Sequence, residues 1–395
     1  MSMGFGVESE VGPLRQVVVH RPGSELSRLT RQNARRLLFA GVPDLERARD
    51  EHDAFTASLT DQGVRVHYFA RLLAETLDIP EARAFVLDRA CVPATLGPAL
   101  VAPVRSFLDG LDSELLVAYL VGGIAKGDLH PRPGGPSLSW ETLSEGGFLL
   151  PPLPNHLYQR DSSCWIYRGV CISPMAKPVR RREWVHTRAI YRYHPMFAGK
   201  PMTVYHGGGN PTGQPVTVEG GDVHVVGHGC VLIGMGERTS PMAVETLAGA
   251  LFGAGPVHTV IAVELPPAVM HLDMVMTMVD RATFVVQRRL THDVRSWTLR
   301  PSGGPGGGLP GVQCNTDLWR PLSQALGEDV RVLPTDGGVN YLAVAPGVVY
   351  GYQSNYTTNT MLRRHGIEVV SVAGRELQRG RGGPRCMSCP IEREA

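Results

Sequence analysis

Near its C-terminus the chain reads "GRGGPRCMSCPIEREA", with Cys386 and Cys389 three residues apart. Such a pair could be a redox couple, half of a metal site, or one nucleophile beside a bystander. A redox CxxC opens a helix after a strand in a thioredoxin-like unit, and here only a short segment follows. A zinc site would need further ligands, and the chain has neither a second CxxC nor an HExxH spacing. The third reading needs only a thiolate, which neighbouring positive charge favours.

Residues that could work with such a thiol are spread along the chain. Asp161, Glu219 with Asp222, and Asp273 each begin or precede a hairpin pattern. Buried carboxylates brought together require a cation, either a metal or an organic one. A guanidinium suits two carboxylates better, because its planar fork pairs bidentately and stays charged. His271 precedes Asp273 by two residues in "HLD", which on a strand places both side chains on one face. Beside carboxylates and a thiol it is a candidate general acid/base. Arg180 in "KPVRRREW", Arg238 in "GMGERTS" and Arg381 in "GRGG" could meet a substrate carboxylate.

These residues must be positioned by a repeated element. Asp161 leads "DSSCWIYRGVCISP", Asp222 "DVHVVGHGCVLIGM", Asp273 "DMVMTMVDRATFVVQ" and Asn340 "NYLAVAPGVVYGYQ". Each is a strand, a turn and a strand, with turns expected at Arg168-Gly169, Gly229, Asp280 and Gly347. The copies lie about 50–70 residues apart, as in circularly repeated modules. "RQVVVHRPG", "DLERARDEHDAFTASLTDQG" and "VRVHYFA" read as a strand-helix-strand unit that would supply a fifth. From roughly Leu72 to Glu145 apolar residues recur at helical spacing, with a Pro/Gly/Ser-rich loop at "LHPRPGGPSLSW". This predicts a helical insertion at 72–145 in an α/β domain made of 1–71 and 146–395. The stretches "PSGGPGGGLPG" and "YHGGGNPTG" lack the Lys-Ser/Thr of a phosphate loop and read as surface loops, part of a lid.

At 395 residues, 43% hydrophobic and 19% charged, the chain has the composition of a soluble globular protein. A net charge of +2 gives no reason to expect a nucleic-acid or membrane partner. The N-terminus lacks a signal-peptide pattern, and no stretch is long enough to span a bilayer. Seven scattered cysteines argue against a disulfide scaffold and for a cytoplasmic location, where most would be buried as small hydrophobes.

At these residues the sequence resembles the arginine deiminases of the guanidino-group-modifying superfamily. The resemblance rests on "SEVGPLRQVVVHRPG", "EHDAF", "LPNHLYQRD", "KPVRRRE", "EGGDV", "LIGMGER", "HLDMVMTMVD" and "GRGGPRCMSCP", in this order and nearly end to end. It implies a five-bladed pseudo-symmetric α/β propeller with an inserted helical bundle. It implies Cys386 as nucleophile, His271 as general acid/base, Asp161 and Asp273 gripping the guanidinium, and Glu219 orienting substrate and histidine. Arg180, Arg238 and Arg381, helped by Asn155, would bind the carboxylate of L-arginine. Cys389 would be dispensable. The implied reaction is hydrolysis of L-arginine to L-citrulline and ammonia, with no cofactor or metal, in a homo-oligomer, dimer or higher. The pattern departs from the family where Ala40 and Gly41 replace two aspartates in "LLFAGVPD", and at Tyr158 and Gln159. These changes leave open a second reading, the same cysteine chemistry on another guanidino compound, by hydrolysis or amidino transfer.

Overall fold

A computed structural model describes residues 4–129, 134–209, 216–291, 294–302 and 310–395, and one three-stranded unit recurs in it five times. Each unit pairs two strands antiparallel and then brings back a third strand parallel to one of them. Strands Ser163–Ile166 and Gly169–Ile172 form one hairpin, helix Arg181–Tyr193 crosses over, and Thr203–His206 returns parallel. Val223–Gly227, Cys230–Met235, helix Pro241–Ala254 and Thr259–Glu264 repeat the pattern. So do Met276–Asp280, Thr283–Gln287 and Arg331–Thr335, and Leu342–Ala345, Val348–Tyr352, helix Tyr356–Arg364 and Glu368–Val372.

The remaining unit is assembled from both ends of the chain. Leu14–Val19, helix Leu45–Asp61 and Arg65–Tyr68 form the expected strand-helix-strand segment, with the strands parallel. Its antiparallel partner is Cys389–Arg393. No local pattern announces this pairing, because a strand's partner is set by the topology of the whole chain rather than by its own residues. The consequence for the site is direct: the strand that closes this unit follows Cys386 by three residues and ties it down.

Two hairpins turn one residue away from where they were expected. One turns at Tyr167-Arg168, and the other at Arg281-Ala282, directly after Asp280. Tyr167 and Ala282 take positive φ, 48° and 45°, so the usual glycine signal is missing. Tyr167 is held there by backbone bonds to Val7 in both directions and by its hydroxyl, which accepts from Gly229 N–H at 2.7 Å.

The polar leaders do not begin strands either. Asp161 sits on a helical turn, Gln159–Ser162, Asp222 on Gly220–Asp222 and Asp273 on Leu272–Met274. Asn340 stands just before Leu342–Ala345. His271 and Asp273 are therefore not alternate residues of one strand. His271 is the extended residue that enters the Leu272–Met274 turn, and the turn sends the two side chains to different partners. The turn carrying Asp222 contacts both the turn carrying Asp161 and the turn carrying Asp273. Cys389–Arg393 packs beside Ser163–Ile166, and Leu342–Ala345 packs beside both Met276–Asp280 and Leu14–Val19.

Between the first and second units the chain is helical: Phe69–Leu77, Pro80–Ala90, Pro93–Leu96, Val101–Asp109 and Ser113–Gly122. Asp112 caps the last of these, accepting from Leu115 N–H at 2.8 Å. Leu73, Leu77, Val86, Leu108, Leu116 and Leu120 bury their apolar faces in one cluster with Trp165, Val170 and Ile190 of the next unit. The expected loop after these helices is partly a short helix, Leu138–Thr142, with Trp140 buried. Of the two glycine-rich stretches, residues 210–213 and 303–309 lie outside the described residues. Among the described residues no helix is long and apolar enough to cross a membrane. All seven cysteines are free, and all but Cys314 are buried.

Candidate active site

Cys386 is pinned from three sides. Its N–H donates to Asn340 Oδ1 at 3.1 Å, its carbonyl accepts from Arg160 N–H at 3.0 Å, and Met387 N–H closes a turn onto Gly383 O. Its Sγ lies 3.0 Å from Asn340 Nδ2 and 3.5 and 3.7 Å from the two Asp273 oxygens. Burial, with the charges of Asp273 and Asp161, pushes the thiol well above its usual range. Cys389 has separate partners: its thiol donates to Ser163 O at 3.3 Å at the start of the closing strand.

His271 faces two carboxylates. Its Nε2 is 2.8 Å from Glu219 Oε2 and its Nδ1 is 3.7 Å from Asp161 Oδ1. Burial opposes charge on the ring, but Asp161, the Glu219 hydrogen bond and Asp222 outweigh it and raise its pKa to about 9. Asp222 supports the turn rather than the chemistry. Its Oδ1 accepts from Leu272 N–H at 2.9 Å and its Oδ2 from the Thr239 hydroxyl at 2.6 Å, and burial pushes its carboxyl up to about 7. Gly221 lets these turns meet: a Cβ there would lie 2.7 Å from the His271 ring and 2.9 Å from Asp161 Oδ1.

Of the residues expected to hold a substrate carboxylate, two are engaged with acids. Arg180 is fully buried, bidentate on Glu183 at 2.9 and 2.8 Å, and bonded to Asp161 Oδ2 at 2.7 Å. Arg238 bridges Glu219 at 3.1 Å and Glu237 at 3.0 Å. Asn155 spends its side-chain N–H on Leu37 O at 2.8 Å, and its carbonyl accepts from Arg180 at 3.2 Å. Arg381 is exposed on a left-handed residue, φ 74°, and its guanidinium has no partner among the described residues. The structure thus joins Arg180, Arg238, Asp161, Glu219 and His271 in one network. It leaves Arg381 and the Asn155 amide outside that network.

Three site residues were not singled out from the sequence as such. Arg385 is buried, with Nη1 on Asp273 Oδ2 at 2.8 Å, Nε on Glu10 Oε2 at 3.1 Å and Nη2 on Val223 O at 2.7 Å. Its position next to Cys386 was the available signal. Glu10, from the other end of the chain, gave none beyond lying in "SEVGP". Asn340 was visible as the fourth leader in register, but without a charge to mark it.

Asp161, Glu219 and His271 place one ligand atom each within 4.8 Å of the others, a spacing that could hold a metal ion. The donor set fits a dication poorly, because the guanidinium groups of Arg180 and Arg238 already sit on the two carboxylates and would repel it. Asp161 Oδ1, in contrast, is buried without a hydrogen-bond partner. A planar N–H donor there would satisfy it.

The fold is shared with enzymes that act on guanidino groups. The DDAH of Pseudomonas aeruginosa, solved as a cysteine-to-serine mutant with citrulline, is 14% identical, with a TM-score of 0.54 over 95% of this chain and 99% of that one. SxtG, an amidinotransferase of the saxitoxin pathway from Microseira wollei, is 12% identical, with a TM-score of 0.58 over 99% and 98%. The inosamine-phosphate amidinotransferase of Streptomyces griseus is 13% identical, with a TM-score of 0.53 over 99% and 97%. Residues 35–393 match the family described as arginine deiminase, and the chain belongs to that family.

Proposed function

We propose that this protein is an arginine deiminase, hydrolysing L-arginine to L-citrulline and ammonia through a covalent alkylthiouronium on Cys386. The observation that carries this reading is the convergence of one thiol, one histidine and three carboxylates on adjoining turns, with Asp161 Oδ1 unpartnered. Contacts from unit to unit support an arrangement of the five sheets as a propeller, its polar leaders facing one axis.

In the free site the thiol is protonated and His271 is an imidazolium. A substrate guanidinium between Asp161 and Asp273 supplies the positive charge that favours loss of the thiol proton to solvent. The Cys386 thiolate then attacks the guanidinium carbon, forming the C–S bond and a neutral tetrahedral adduct. His271 gives its proton to one terminal nitrogen, the C–N bond breaks, and ammonia leaves a cationic thiouronium. Neutral His271 then takes a proton from water as its oxygen bonds to the same carbon. Collapse of that adduct forms the citrulline carbonyl, sends the hydroxyl proton to solvent and returns the thiolate. Glu219 holds His271 throughout. Arg381, whose guanidinium has no partner among the described residues, meets the α-carboxylate, while Arg180 and Arg238 are held on the acidic side chains of the site.

Ala40 and Gly41 motivate the second reading, the same chemistry on another guanidino compound. Ala40 N–H donates to Arg379 O at 2.7 Å, two residues from Arg381, so this loop adjoins the segment proposed to take the carboxylate. Incubation with L-arginine and assay of both products tests the assignment. Citrulline and ammonia in equal amounts support it; no citrulline at any pH rejects it, and preference for another guanidino compound selects the alternative.

A further inference from the structure

Asn340 occupies the position in its unit that Asp161, Asp222 and Asp273 occupy in theirs, but it carries no charge. It is 7% exposed and packed against the nucleophile. The orientation of its amide follows from its neighbours. Cys386 N–H is a donor 3.1 Å away and so faces the Asn340 oxygen. That puts Nδ2 toward the Asp273 carbonyl at 3.1 Å and Cys386 Sγ at 3.0 Å, with Met274 Sδ farther off at 3.9 Å. A Cβ on Gly383 would stand 2.7 Å from Oδ1, so the glycine permits this close approach.

The surroundings of Sγ are otherwise adverse to a thiolate. The nearest charged atoms are the Asp273 oxygens, at 3.5 and 3.7 Å, which accept from a thiol and repel its anion. The Arg385 guanidinium that could offset them is committed to Asp273, Glu10 and Val223. The Asn340 N–H is the side-chain donor within hydrogen-bonding distance of the sulfur among the described residues. Sulfur is anionic twice in a thiol-addition cycle, before attack and when it is expelled. A fixed N–H aimed at it assists at both points without reorganising.

We propose that Asn340 is a further catalytic residue of this site: its Nδ2–H stabilises the Cys386 thiolate as nucleophile and as leaving group, while its Oδ1 anchors Cys386 N–H. The inference rests on Cys386 being the nucleophile, but not on arginine being the substrate.

Asn340→Ala removes the donor without adding charge, and Asn340→Asp removes it while adding a carboxylate that repels the thiolate. The aspartate variant keeps the shape and the Oδ1 acceptor, so an anchor survives, but it replaces the donor with a carboxylate oxygen. The test follows the rate of Cys386 alkylation by iodoacetamide against pH, without substrate, by peptide mass spectrometry. It is paired with kcat and KM for arginine. In Asn340→Asp the alkylation midpoint moves up by about one pH unit or more. The kcat falls about 100-fold, with KM changed less than about threefold. Asn340→Ala shows a smaller upward move and supplies the same reading should the aspartate variant fail to fold. A midpoint equal to wild type in either folded variant overturns the proposal, even if arginine is turned over. A raised midpoint in a protein that makes no citrulline supports Asn340 and rejects the substrate assignment instead.

Discussion

His271 Nε2 lies 2.8 Å from Glu219 Oε2, with both side chains buried. Asp161, the Glu219 hydrogen bond and Asp222 together outweigh burial and raise the imidazole pKa to about 9, as the proposed proton donor to departing ammonia needs. Loss of the Glu219 charge and hydrogen bond removes part of what offsets burial, so the histidine pKa falls. Glu219→Gln is expected to move the alkaline limb of the kcat–pH profile downward and to cut kcat by about 100-fold or more at neutral pH. A profile with an unmoved alkaline limb would dissociate Glu219 from the histidine's titration.

The same pair makes stability depend on pH. The folded-state pKa of His271, about 9, is above its unfolded value of 6.5. Its contribution is therefore complete below pH 6.5 and is lost as pH rises through about 9, an effect on the order of 3 kcal/mol. Urea unfolding of wild type and His271→Gln across this range checks it. The wild type should lose the larger share of its stability on the alkaline side.

Arg385 holds two buried carboxylates, Glu10 and Asp273. Arg385→Met would leave both uncompensated, and a loss of about 3–5 kcal/mol is expected in the unfolding free energy. Asp273 would also lose its orientation toward Cys386, so activity of the folded fraction should fall as well.

The candidate site residues were more legible in the sequence than the side chains that hold them. Cys386, His271 and the acidic leaders stood out because their types are reactive and their spacing repeats. Arg180 with Glu183 could have been read as an ion pair from its i,i+3 spacing. Nothing local could show that Arg385 is bonded to Glu10 at the opposite end of the chain, or that Cys389–Arg393 completes the first unit. Those relationships exist only once the topology closes. The helical turns beneath Asp161, Asp222 and Asp273 were missed because three or four residues are too few for a period to be seen.

The two cysteines should separate cleanly. Cys386→Ala is expected to abolish turnover. Cys389→Ala removes a buried thiol that packs against Ser163 and should cost about 1 kcal/mol of stability with activity retained within about twofold. Equal losses from both changes would point to a cysteine pair acting together.

The central claim is that Cys386 forms a bond to the guanidinium carbon and that the terminal C–N bond is the one that breaks. Acid quenching during turnover of L-arginine, followed by mass spectrometry of the Cys386 peptide, tests this directly. The expected adduct keeps the arginine skeleton and lacks one ammonia. An adduct carrying only the amidino carbon, with ornithine released, or turnover with Cys386 unmodified throughout, would contradict it.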